Sequence, residues 1–172
     1  MRLVRVVDSA VAWLWMEASA EARPRVGTVL RGGEDFAVDC GWEPDAEVYQ
    51  YPKQQSLRAA RGGGLTPMGL IGTVADFSDA DAYRAVVRHS AKFGFEGASC
   101  IHPANVAVLN EEFSPKPEAV AYARRVVEGD KQAIAEGRGS WSLDGKMIDI
   151  PVVIRAQRLI ARADRIAARG NV

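Results

Sequence analysis

Short β-branched runs alternating with helix-patterned stretches dominate the amino-terminal part of this chain. That alternation restricts its fold more than any single motif. "LVRVV" (3–7), "RVGTVL" (25–30), "MGLIGTVADF" (68–77) and "GASCI" (97–101) read as strands. Helix signals fill the intervals. "DSAVAWLWMEASAEA" starts at an Asp8 or Ser9 cap and repeats Trp13, Met16 and Ala20 at helical spacing. "YPKQQSLRAARGGG" opens with Pro52 as a first-turn residue and stops at three glycines. "DADAYRAVVRHSAKFG" runs from a Ser78 or Asp79 cap to Gly94, and "HPANVAVLNEEF" is a short helix opened by Pro103. Strands joined through helices pair in parallel by right-handed crossovers. The expected class is therefore α/β, with four strands forming either an open sheet or half of an eight-stranded barrel.

Beyond residue 113 the pattern changes. A long amphipathic helix is expected from about Pro117 to Glu136, then a Gly-rich loop, "EGRGSWSLDGKMID", then a basic helix, "IPVVIRAQRLIARADRIAARG". Residues 1–113 thus read as parallel βα units. Residues 114–172 read as a helical extension with a lid-like loop over 137–150.

The 172 residues suffice for a real core, and 22 basic residues balance 22 acidic ones. Zero net charge removes the usual electrostatic footprint of nucleic-acid binding, although a local basic cluster can still hold an anion. No apolar run has the length of a membrane span. The amino terminus has the basic and apolar character of a leader, but Asp8 interrupts it, and a strand followed by a helix explains it better. Cys40 and Cys100 lack zinc or CxxC spacing and fit free thiols in a reducing compartment. A cytoplasmic protein with neither nucleic-acid nor membrane partners is expected.

In parallel α/β architectures, ligands bind at the carboxyl ends of the strands. The residues there are Asp8 and Ser9, Glu34 and Asp35, Asp76, and His102 with Asn105. A rim of carboxylates is the oxygen-rich environment that Mg²⁺ prefers. Each acid also has a plainer use. Asp8 before a serine is an equally good helix start, Glu34 suits the first turn of a helix, Asp35 taken alone fits a helix cap or a solvated acid, and Asp76 sits among cap-type residues. The chain carries neither a phosphate-binding loop nor a GxSxG elbow.

"GGEDFAVDCG" (32–41), "GFEGASCIHPANVAVLNEEFSP" (94–115) and "GKMIDIPVVIRAQRLIARA" (145–163) resemble the carboxyl-terminal half of the HpcH/HpaI aldolase and citrate lyase β-subunit family. "PEAVAYARRVVEG", which lies between the last two, fits as well. The family includes citryl-CoA and malyl-CoA lyases, and its fold is a (β/α)₈ barrel. The resemblance implies about the last four βα units of such a barrel plus carboxyl-terminal helices.

It also implies a site. Family members hold Mg²⁺ with a glutamate after one strand and an aspartate after the next; Asp35 falls on the aspartate and Asp8 on the glutamate. Mn²⁺ is the alternative ion. Asp8 is one methylene shorter than glutamate, so direct ligation would need a backbone shift or an intervening water. Alanine at position 98 stands where a lysine often follows the glycine. Asp149, in "GKMID", matches a catalytic aspartate that acts on a neighbouring subunit's site, and it also precedes Ile150-Pro151 as a helix cap would. His102 and Pro103 would shape the rim near an acyl-CoA, with Gly33 and Glu34 on the substrate side of the metal loop.

The implied reaction is Mg²⁺-dependent carbon–carbon cleavage or condensation of a hydroxyacyl-CoA thioester, with a hydroxy or keto acid as the other partner. The arginine-bearing first half of the family barrel has no counterpart here. Completion by a homo-oligomer or by an amino-terminal half-barrel is therefore expected. The alternative is a catalytically inactive half-barrel or interaction subunit.

Overall fold

The computed structural model describes residues 3–21, 25–72 and 79–170. The chain divides into two compact units, Met1–Phe113 and Ser114–Val172.

In the first unit, β1 (Leu3–Val7) and β2 (Val26–Arg31) pair in parallel, with Val7 opposite Arg31. Between them lie two short helices, α1 (Ala10–Leu14) and α2 (Met16–Glu21), which break at Trp15 instead of forming the single helix expected. After β2 come α3 (Gly33–Cys40) and α4 (Ala46–Gly62), then α5 (Ala80–Phe93) and α6 (Ala104–Phe113). One face of the sheet carries Val7 and Val29 into a core with Met16, Ala20, Ala59, Ala60 and Leu65. Alternation sends Val4 and Val6 to the other face, where they stay 56% and 53% exposed. Among the described residues β1 pairs with β2 alone, so its second edge is open.

Two expected strands are not seen. No strand forms at 97–101, and none at 68–72; residues 73–77 of the third expected strand, with Asp76, lie outside the described residues. The two stretches do run alongside each other, Glu96 N–H donating to the Pro67 carbonyl at 2.9 Å and Gly69 N–H to that of Gly97 at 2.8 Å. A regular ladder fails because Pro67 has no N–H and because Gly69 and Gly72 adopt φ of 156° and 149°, outside the strand region. Leu70, Ile71 and Phe95 still enter a core with Tyr83, Val87, Val108, Leu109 and Phe113.

The α4 helix starts earlier than Pro52 implies. Asp45 caps it by accepting the Glu47 N–H at 2.6 Å, leaving Pro52 inside the helix at the loss of one backbone bond. The α5 helix matches its signals, with Asp79 accepting from Asp81 and Ala82 and Gly94 closing it at φ 112°. It is locked to α6 by Glu112, whose side chain is 1% exposed and which receives Arg84 at 2.6 Å and Arg88 at 2.9 Å.

In the second unit, α7 (Pro117–Ala135) packs with α8 (Ile150–Ala167). The intervening segment is not loop throughout. An antiparallel hairpin, β3 (Trp141–Leu143) with β4 (Lys146–Ile148), turns through Asp144 and Gly145, both at positive φ (50° and 75°), and Arg125 holds Asp144 through two 2.9 Å bonds.

Candidate functional site

The two strands deliver their carboxyl ends side by side, because Gly32 N–H donates to the Val7 carbonyl at 3.1 Å immediately after the last paired residues. Asp8 follows β1 and is exposed; Asp35 lies exposed in the first turn of α3. Gly32 lies between them. A Cβ at this position would stand 3.2 Å from the Asp8 Cβ and 3.6 Å from Asp35 Oδ2. The missing side chain therefore leaves a small recess with both acids on its border.

This donor set fits a hard cation. Mg²⁺ commonly binds through one or two carboxylates and keeps several waters, and neither a thiolate nor an imidazole is needed. Among the described residues no cluster of three or more His, Cys, Asp or Glu side chains forms, so the described ligands would be Asp8 and Asp35 alone.

The other predicted residues fall in different places. Glu34 is exposed in the first turn of α3, suiting the helix dipole. Gly33 lies over Tyr49, whose ring and hydroxyl would stand 3.5 Å from a Cβ there. His102 and Pro103 are exposed, and His102 Nδ1 accepts the Ala104 N–H at 3.3 Å, at the start of α6. Asn105 is buried within that helix. Asp149 belongs to the second unit, where its Oδ1 accepts the Val152 N–H at 3.3 Å and caps α8.

Three neighbours of the loop escaped the sequence reading. Asp39, one turn after Asp35 on α3, accepts the Ala10 N–H at 2.6 Å; the i,i+4 spacing of the two aspartates was the available signal. Arg31, the last residue of β2, is 6% exposed, and its guanidinium stacks 3.3 Å from the Phe36 ring centroid and finds no hydrogen-bond partner among the described residues. Burial lowers its pKa to about 10. Lys53, 5% exposed on α4, donates its Nζ proton to the Arg31 carbonyl at 3.0 Å, bracing the end of β2 from behind. Burial, reinforced by the Arg31 charge, lowers its pKa to about 8. Neither cation has a sequence signature, because a lone basic residue normally reads as surface.

No family profile matches the chain. Among curated proteins, it is 33% identical over 175 residues to a (3S)-malyl-CoA thioesterase from Cereibacter sphaeroides, covering 96% of this chain and 61% of that protein. It is 32% identical to mitochondrial citramalyl-CoA lyase from Mus musculus, covering 96% of this chain and 52% of that enzyme. The chain thus spans little more than half the length of the curated relatives it matches. Among solved structures, CitE from Mycobacterium tuberculosis in complex with magnesium, acetoacetate and coenzyme A superposes with a TM-score of 0.77 at 24% identity, over 95% of this chain and 61% of that one. A citrate lyase from Burkholderia xenovorans gives 0.76 at 19% identity, over 97% of this chain and 54% of that one. The structural likenesses show a shared α/β, TIM-barrel-related fold. With the sequence kinship they show that nearly the whole of this chain is similar to part of the citrate lyase β-subunit (HpcH/HpaI aldolase) family, the curated relatives being citramalyl-CoA and malyl-CoA lyases.

Proposed function

We propose that the chain forms the last four βα units and carboxyl-terminal helices of a Mg²⁺-dependent carbon–carbon lyase acting on hydroxyacyl-CoA thioesters. The observation that carries this reading is the pair of carboxylates, Asp8 and Asp35, on the border of the Gly32 recess. Kinship to CoA-ester lyases and the likeness to a CitE that binds magnesium and coenzyme A support it. In this reading the cation, held by Asp8 and Asp35, supplies stabilisation of the negative charge that builds on substrate oxygens. Gly32 keeps the recess open for the ion and its waters. Asp149 exchanges a proton with the thioester α-carbon in a neighbouring copy's site, and His102 and Pro103 border the acyl-CoA. Removing the proton prepares condensation, and returning it completes cleavage.

The test is Mg²⁺-dependent release of acetyl-CoA or propionyl-CoA from hydroxyacyl-CoA substrates, with Mn²⁺ binding followed by electron paramagnetic resonance. Asp35→Ala is expected to abolish both turnover and saturable Mn²⁺ binding. Retention of either would refute the ligand assignment.

Part of the site comes from outside the described residues. The open edge of β1 and the exposed Val4 and Val6 face are suited to further βα units, from a second copy or from an amino-terminal half-barrel. Sedimentation of the chain alone is expected to show dimers or larger species. A stable monomer at micromolar concentration would exclude self-association and leave the separate half-barrel as the completing partner.

A further inference from the structure

We infer that Asp39 is a positioning residue, holding the Asp8 segment against α3 so that Asp8 and Asp35 face a single cation. The inference rests on the cation reading proposed above and goes beyond it in assigning a role outside the ligand pair.

The argument starts from the reach of Asp8. Its side chain is short, so the direction of its oxygens is set almost entirely by the backbone of residues 8–10. That backbone is fixed on one side by β1, through the Gly32 N–H bond to the Val7 carbonyl at 3.1 Å. On the other side it enters α1, whose first-turn N–H groups have no partners within their own helix. Two of these are satisfied. The Ser9 hydroxyl accepts from Ala12 at 3.2 Å, a bond internal to the segment. Asp39 Oδ2 accepts from Ala10 at 2.6 Å and ties the segment to another element.

That element is the helix that carries Asp35. Residues 35 and 39 are four apart on α3 and share a face. The rigid spacing of one helical turn therefore couples the anchor of the Asp8 segment to the Asp35 carboxylate. The bond is charge-assisted and short, and it fixes the start of α1 on a helix that α1 otherwise meets further along, where the Trp13 ring stands edge-on to Phe36 with centroids 6.4 Å apart. Asp39 thus sets the separation of the two ligands without being one of them.

The test uses the full chain with Mn²⁺ as probe, comparing Asp39→Ala with Asp39→Asn. Asparagine loses the charge but keeps a side-chain oxygen able to accept the Ala10 N–H. Expected are about a tenfold or greater loss of Mn²⁺ affinity in Asp39→Ala and an affinity within about twofold of wild type in Asp39→Asn. Hydrogen exchange at the Ala10 amide, read without metal, should accelerate in Asp39→Ala only, while the core amide of Val29 keeps its protection. Equal affinity in wild type and Asp39→Ala would overturn the inference and leave the cation reading standing. An Asp39→Asn variant as weak as Asp39→Ala would also overturn it, since charge and not anchoring would then be responsible. Absence of saturable Mn²⁺ binding in the wild type would overturn both readings together.

Discussion

The unfolding free energy is expected to gain about 3 kcal/mol between about pH 8 and pH 10.5, and that gain to disappear in Lys53→Met. Lys53 has a folded pKa of about 8 against an ordinary value of 10.5. Below pH 8 both folded and unfolded chains carry the proton, so the full cost of burying the ammonium is present and stability does not change with pH through this group. Between the two values the unfolded chain binds more protons than the folded one, so stability rises with pH. Above 10.5 Lys53 is neutral in both forms and contributes no further change with pH. The size follows from about 1.36 kcal/mol for each pH unit separating the two values. Methionine removes the charge but also removes the donor to the Arg31 carbonyl, a loss of about 1–2 kcal/mol. The variant should thus be more stable than wild type at pH 7 by about 1–2 kcal/mol and less stable above pH 10.5 by a similar amount. Urea titrations across pH read this crossover directly. Parallel curves would mean that Lys53 is not held charged in the interior.

A second large effect is expected in the carboxyl-terminal unit, where Gly129→Ala should destabilise by about 2 kcal/mol although alanine favours helices over glycine by about 1 kcal/mol. The reason is Trp141. Its ring lies on the α7 backbone at Gly129, and an added Cβ would come within 2.5 Å of Cζ2, inside any tolerable contact. Either the ring leaves its seat, exposing apolar surface, or the hairpin moves away from α7. In a Trp141→Ala background the same substitution meets no ring and should become stabilising by about 1 kcal/mol. Circular dichroism during urea unfolding measures all four proteins of the cycle. An unchanged sign in the two backgrounds would show that the ring is not seated there.

The sequence carried most of the helical architecture because helix ends are local. Asp79 and Gly94 bracket α5, Pro117 opens α7 and Asp149 caps α8, each through contacts within a few residues. It carried less of the sheet. "GASCI" has strand composition, but whether it joins a ladder depends on a partner stretch containing Pro67 and two glycines at positive φ. The hairpin was readable and passed over: "SLDGKM" places Asp-Gly between short strands, a two-residue turn signal hidden in a segment taken as loop. Pro52 misled, because Asp45 starts α4 upstream and its capping outweighs one missing bond. At the candidate site the two aspartates were singled out by their places after the strands and by the family resemblance. Their closeness was not, since the recess is defined by the absence of a side chain at Gly32. Arg31 and Lys53 were invisible for another reason: only tertiary packing shows that two basic side chains have been withdrawn from water.

The Glu112 lock has a consequence for experiments in different buffers. Added ions weaken attractions between charges they can surround, and the Glu112 carboxylate is closed to them beneath α5 and α6. The Arg61–Glu96 pair, with the arginine half in water, is open to such screening. Raising ionic strength should thus loosen such peripheral pairs, and the outer Arg88 contact with them since that arginine is 62% exposed, while α6 keeps its seat on α5 through Tyr83, Val87, Leu109 and Phe113. In the proposed acyl-CoA reading, a fall in affinity for the anionic ligand in salt would then be assigned to screening of the ligand's own charges and not to loss of the α5–α6 packing.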